Sequence, residues 1–298
     1  MKFLKLIGFG HLILLAFAQL IFKYGFLDYQ EGLTLSISDS NYMLLVLASV
    51  MIAAGGFLIN NITAHGSESY GLSESTAYYI YGGLTIGGLI IGYYLSNLIG
   101  RTSFMMAFAI AVGTLYFYST NLRGSLLLGN IVIAFLIGLS IMIIGIFALY
   151  PIPGGTTAFG QLSLMFRLIA DFAAFGVVVG FMITLLNDLK NTDIDYNEGL
   201  NTLPIAIGKE RAAKVAFAFG IVAAGMILYY INAHLKELLL AMGYLLLFIL
   251  GPLIYFLINI WSAKTTKQYA ALEIVLKTIL FFTALSVLVI TLNIKYNA

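Results

Sequence analysis

Nine long apolar runs, each closed by polar or charged residues, lie near 4–26, 42–60, 76–98, 103–119, 124–149, 163–187, 211–231, 236–259 and 270–293. A hydrocarbon core about 30 Å thick takes ~20 helical residues to cross, and these runs are of that order. In lipid a backbone has to satisfy its own hydrogen bonds, so runs of this length fold as helices. The expectation is an all-α, polytopic transmembrane bundle of about nine helices, with 1–298 forming a single transmembrane domain. The fourth run is the shortest and is parted from the third only by Gly100-Arg101-Thr102. Composition agrees: 61% of residues are hydrophobic and mean hydropathy is +1.00, against about 45–50% apolar in soluble domains.

Charge sets the orientation. With the N-terminus inside, nine basic residues fall on the inner side (Lys2, Lys5, Arg123, Lys190, Lys209, Arg211, Lys214, Lys264, Lys267) and four outside (Lys23, Arg101, Lys236, Lys295). That bias favours N-inside and C-outside, with segments 60–75 and 188–210 cytoplasmic. The basic start Met1-Lys2-Phe3-Leu4-Lys5 leads into an apolar run without a small-residue cleavage site, so a retained first span is expected. The chain contains no cysteine, which excludes disulfides, thiolate metal sites and a cysteine nucleophile. A net charge of +2 without a basic stripe argues against nucleic acid.

The densest chemistry follows the sixth run. Asp188, Asp193, Asp195 and Glu198 cluster there, in a chain where 9% of residues are charged. Acid beside a bilayer is costly without a partner or a task. On a helix, Asp188, Asn191 and Asp195 stand at i, i+3 and i+7 on one face, while Asp193 points elsewhere. Two carboxylates and an amide on one face suit a magnesium ion carrying a phosphorylated ligand. The same residues also suit a solvated acidic loop. Asn61, Ala64 and Glu68 repeat the spacing after the second run.

Other features read as packing or anchoring. Gly83-x-x-x-Gly87 and Gly88-x-x-x-Gly92 let helix backbones approach closely. Arg167 and Asp171, four apart, are expected to form an ion pair. Lys277 either snorkels toward headgroups or reaches a phosphate, and Glu273 stands one turn before it. His11, His65 and His234 have no metal-ligand spacing.

Nine spans, the acidic group after the sixth, and Asn201-Thr202-Leu203-Pro204-Ile205 followed by Gly208-Lys209-Glu210-Arg211 resemble the UbiA prenyltransferase family. The run from Leu15 to Phe26 is similar to bacterial geranylgeranylglycerol-phosphate geranylgeranyltransferase-like members. The resemblance implies Mg²⁺ as cofactor, a polyprenyl diphosphate as donor and a membrane-located acceptor, in a multi-pass protein of the bacterial inner membrane with a cytoplasmic active side. It further implies metal ligation by Asp188, Asp195, Asn191 and Glu68, and substrate binding by Asn60, Asn61, Lys190 and Lys277. The family pattern has aspartates where this chain has Ala64, Glu68 and Asn191, and often Arg and Asn where it has Gly8 and His11. Thr184 and Leu185 stand in place of a charged pair. The alternative reading is an inactive homologue that binds isoprenoid lipid or a partner enzyme.

Overall fold

The computed structural model describes residues 2–30, 35–150 and 156–297. Among them, all regular structure is helical. The order is α1 (Lys2–Leu6), α2 (Phe9–Gly25), α3 (Asp39–His65), α4 (Glu74–Leu98), α5 (Met105–Phe117), α6 (Leu128–Ala148), α7 (Thr156–Asn197), α8 (Leu203–Ile207), α9 (Lys209–His234), α10 (Leu239–Leu245), α11 (Gly251–Ile260) and α12 (Thr266–Asn297). Short π segments, Tyr118–Leu122 and Leu246–Leu250, follow α5 and join α10 to α11.

Eight helical stretches among the described residues are long and apolar enough to cross a membrane. The chain is an integral, multi-pass membrane protein. The remaining expected span, α4, has the length at 25 residues. Its five glycines and five tyrosines keep it below the other spans in hydropathy. Two boundaries differ from the sequence reading. The first run is not one helix, because the chain turns at Gly8, where φ is +65°, between α1 and α2. The sixth helix does not stop near 187 but runs on to Asn197.

Residues 1–20, 31–123 and 139–170 form one compact unit. Within it, Ser38 caps α3 by accepting from the Asn41 amide, and Ser73 caps α4 by accepting from Thr76. Helices α3 and α4 pack closely because glycines remove the side chains between them. A β-carbon at Gly88 would lie 2.6 Å from Ile52 and 3.3 Å from the Ala48 carbonyl oxygen. Gly92 meets the Phe108 ring in the same way, whereas Gly83 faces open space. The second small-residue pair therefore does the packing expected of it. Leu6, Leu58, Ile59, Ile62 and Ala77 form the apolar core beneath α1.

The second unit comprises residues 21–30, 124–138 and 171–298. Gly180 fits against Ala134 and Ile137, and Gly138 against Ala173 and Val177, which brings α6 onto α7. Asn293 of α12, 4% exposed, accepts the Ala241 amide at 2.8 Å and so satisfies a helix-end donor that would otherwise be buried unpaired. Lys23 is buried and paired with Asp28.

Candidate functional site

The C-terminal end of α7 carries the acidic face. No glycine or proline interrupts the helix from Phe181 to Glu198, and Gly199, at φ +73°, closes it. Asp188, Asn191 and Asp195 therefore stand on successive turns of one helical face. Asp195 is 6% exposed, a low figure for a carboxylate, and Asp188 and Asn191 are half-buried. One Asp188 oxygen, Oδ2, accepts a 2.8 Å hydrogen bond from Nδ2 of Asn130 in the first turn of α6. Asn130 is itself buried. The sequence reading missed it, since a single asparagine at the start of an apolar run 58 positions away has no local signal. Asn191 donates to Asn187 at 3.2 Å through Nδ2, which turns its carbonyl oxygen away from that bond.

Asp193 lies on the other side of the helix, exposed and 2.9 Å from Lys209. It borders a cleft of about 450 Å³ lined by Thr192, Tyr196, Pro204 and Gly208 among others. The two lysines expected to reach diphosphate are engaged elsewhere. Lys190 Nζ lies 2.6 Å from Oε2 of Glu273, and Lys277 Nζ lies 2.6 Å from its Oε1. One buried carboxylate thus holds two cations, and in doing so ties α7 to α12. Lys190 is two residues from Asp188, roughly opposite it on the helix.

In the other unit, the expected stack of Asn61, Ala64 and Glu68 does not form. Helix α3 ends at His65, the chain turns at Gly66 with φ +73°, and Glu68 sits exposed in a separate 3-10 turn, Ser67–Tyr70. Asn61 donates to the Leu6 carbonyl at 2.8 Å, binding the end of α1. Asn60 keeps a buried Oδ1 with no hydrogen-bond partner. No group of three or more His, Cys, Asp or Glu side chains that could hold a metal occurs among the described residues.

No family model matches the chain. In sequence it is 30% identical over 139 residues to a digeranylgeranylglyceryl phosphate synthase of Methanopyrus kandleri, covering 47% of this chain and 45% of that one. To the synthase of Thermococcus kodakarensis it is 26% identical over 202 residues, covering 67% and 65%. The matches thus span less than two thirds of these relatives' length, and about half of the first. In fold it matches a UbiA homologue of Aeropyrum pernix with TM-score 0.69 at 14% identity, over 94% of this chain and 98% of that one. A UbiA homologue of Archaeoglobus fulgidus bound to Cd²⁺ matches with TM-score 0.62 at 15% identity, over 96% and 99%. The chain has the fold of these UbiA homologues.

One departure from the UbiA pattern has a structural reason. Gly8 stands where the resemblance leads to an expectation of arginine. Its positive φ disfavours any side chain, and a β-carbon there would lie 2.6 Å from the Phe57 ring. His11 is likewise turned to packing, its ring stacked on Phe57 at 5.0 Å. Thr184 donates back to the Phe181 carbonyl and Leu185 is fully buried, so neither supplies charge here.

Proposed function

We propose that this chain is a membrane prenyltransferase, transferring a polyprenyl group, with geranylgeranyl the first candidate, from its diphosphate to a lipid or other membrane-located acceptor with Mg²⁺. The observation that carries the reading is the α7 face, where Asp188 and Asp195 flank Asn191 at the end of a membrane helix. Mg²⁺ prefers oxygen ligands and commonly uses one or two carboxylates, with waters and phosphate completing its shell. The α7 donor set fits that preference: two carboxylates and an amide oxygen, all hard, with one carboxylate orientation fixed by Asn130. When bound, the metal supplies charge neutralisation to the departing diphosphate.

This chain's own residues do the remainder. Asn130 holds Asp188 through Oδ2, which leaves its other oxygen outside that bond. Asn191 adds a neutral oxygen, which keeps the site less negative than an aspartate there would. Glu273 neutralises part of the Lys190 and Lys277 charge, so their pull on a diphosphate is weaker than that of two unpaired lysines. The acidic end is read as cytoplasmic on the distribution of basic residues.

The second reading, a homologue that binds isoprenoid lipid without turnover, draws on the lack of a three-residue metal cluster among the described residues and on Ala64 in place of an aspartate. Purified protein offered geranylgeranyl diphosphate with and without Mg²⁺ separates the two. Mg²⁺-dependent binding lost in Asp188→Asn and Asp195→Asn, with prenyl transfer to a lipid acceptor, supports the enzyme. Metal-independent binding unaffected by either substitution supports the second reading.

A further inference from the structure

The second unit contains a cavity of about 270 Å³ between α7, α9, the α10–α11 helix and α12. Its walls are mostly apolar and aromatic, with Phe172, Phe175 and Ile249 among them. Five polar side chains break that lining, Asp171, Tyr229, Tyr230, Thr283 and Ser286, and the Ser286 hydroxyl already donates to the Thr283 carbonyl at 2.7 Å. Asp171 is the one charged residue on the wall, and it forms no ion pair among the described residues, so the expected pairing with Arg167 is not made. Thr283 is 9% exposed and its Oγ1 has no hydrogen-bond partner. That is unusual for its own helix. Thr278 and Thr291 of α12 each bond back to the carbonyl four residues earlier, as threonines in apolar helices commonly do. A buried hydroxyl left unpaired costs free energy unless something fills the space beside it. Phe172 and Tyr230 meet edge to face at 6.2 Å, adding an aromatic corner to the same wall.

We propose that this cavity binds an amphipathic amine, a protonated ammonium on a short apolar chain. Asp171 is the counter-ion, the Thr283 and Tyr230 hydroxyl oxygens accept from the remaining N–H groups, and the apolar wall takes the chain. The set of groups selects the sign. A carboxylate only accepts hydrogen bonds and repels an anion, and aromatic faces add attraction for a cation. An ammonium presents three donors to three acceptors, whereas a hydroxyl head has one donor to offer. The site shares no residue with the proposed metal site. Asp171 lies 17 residues before Asp188, about 25 Å along α7 at 1.5 Å per residue. The inference therefore stands apart from the prenyl-transfer reading.

The test uses the full chain in nanodiscs of neutral lipid, with empty discs as reference, and n-octylamine, 1-octanol and octanoate as probes in equilibrium dialysis. The expected result is saturable binding of one octylamine per chain, about tenfold or more tighter than octanol, with no saturable binding of octanoate. Asp171→Asn should weaken octylamine by about tenfold and leave octanol within about twofold, since it removes charge and keeps shape. Thr283→Val, which replaces only the hydroxyl, should weaken octylamine severalfold, and it carries the test if Asp171→Asn does not fold. Asp193→Asn, outside the cavity, should change nothing. Equal uptake of all three probes, tighter binding of octanol than octylamine, or no uptake beyond that of empty discs (a cavity holding water only) would each overturn the proposal.

Discussion

Asp188 and Asn130 show how a carboxylate at the end of a membrane helix is held in place. A hydrogen bond to a charged group contributes about 1.5–3 kcal/mol, more than a neutral one. Asn130→Leu removes the donor and leaves Oδ2 without it. The expected outcome is a loss of about tenfold in Mg²⁺-dependent geranylgeranyl diphosphate affinity, with the helix content unchanged by circular dichroism. Asp193→Asn breaks only an exposed pair with Lys209, and affinity measured in the same titration should stay within about twofold. Glu68→Gln should behave like Asp193→Asn, because Glu68 lies beyond the turn at Gly66. Gly8 answers to sterics instead of charge. Gly8→Ala places a side chain at positive φ, a cost of about 1–2 kcal/mol, and pushes on the Phe57 ring. Thermal unfolding in detergent should begin several degrees lower in that variant.

At the level of elements, the acidic face exists because α7 outruns its apolar stretch by about three turns. The same helix spans lipid with its apolar part and presents carboxylates with its polar part. Where two helices must meet within lipid, shape decides, since lipid tails are as apolar as leucine. Gly88→Leu places a branched side chain where Ile52 and the Ala48 carbonyl already stand. It should part α3 from α4 and lower the unfolding temperature in detergent more than Gly83→Leu, which faces open space. Glu273 plays the corresponding role for charge by bridging Lys190 and Lys277. Glu273→Gln releases both cations. Two outcomes are expected together: a lower unfolding temperature, and tighter Mg²⁺-independent binding of diphosphate by the freed lysines. A fall in stability alone would reduce Glu273 to a helix tie.

For the molecule as a whole, the topology is the strongest expectation drawn from charge. The lack of any cysteine makes it directly testable. Single cysteines introduced at Asn197 and at Glu237, both exposed, should behave oppositely in intact cells. The first should be protected from a membrane-impermeant maleimide and the second labelled. Labelling of Asn197→Cys from outside would invert the orientation and place the acidic end of α7 on the other face.

Two features follow from the amino-acid order alone: the chain is a bundle of membrane helices, and Asp188, Asn191 and Asp195 share a face. Both follow from local rules: lipid forces apolar runs to satisfy their own hydrogen bonds, and helical geometry fixes which neighbours align. The likeness to the UbiA fold was also legible, from residues 188–211 and the number of spans. The echo at Asn61, Ala64 and Glu68 misled because spacing carries no notice of where a helix ends, and Gly66 ends it. Which polar groups are engaged depends on how distant segments pack. Asn130 meets Asp188 across 58 positions and Lys190 meets Glu273 across 83, and no periodicity in either segment encodes the meeting. The cavity beside Asp171 is of the same kind, because its unpaired Thr283 hydroxyl becomes apparent only once several helices have packed around it.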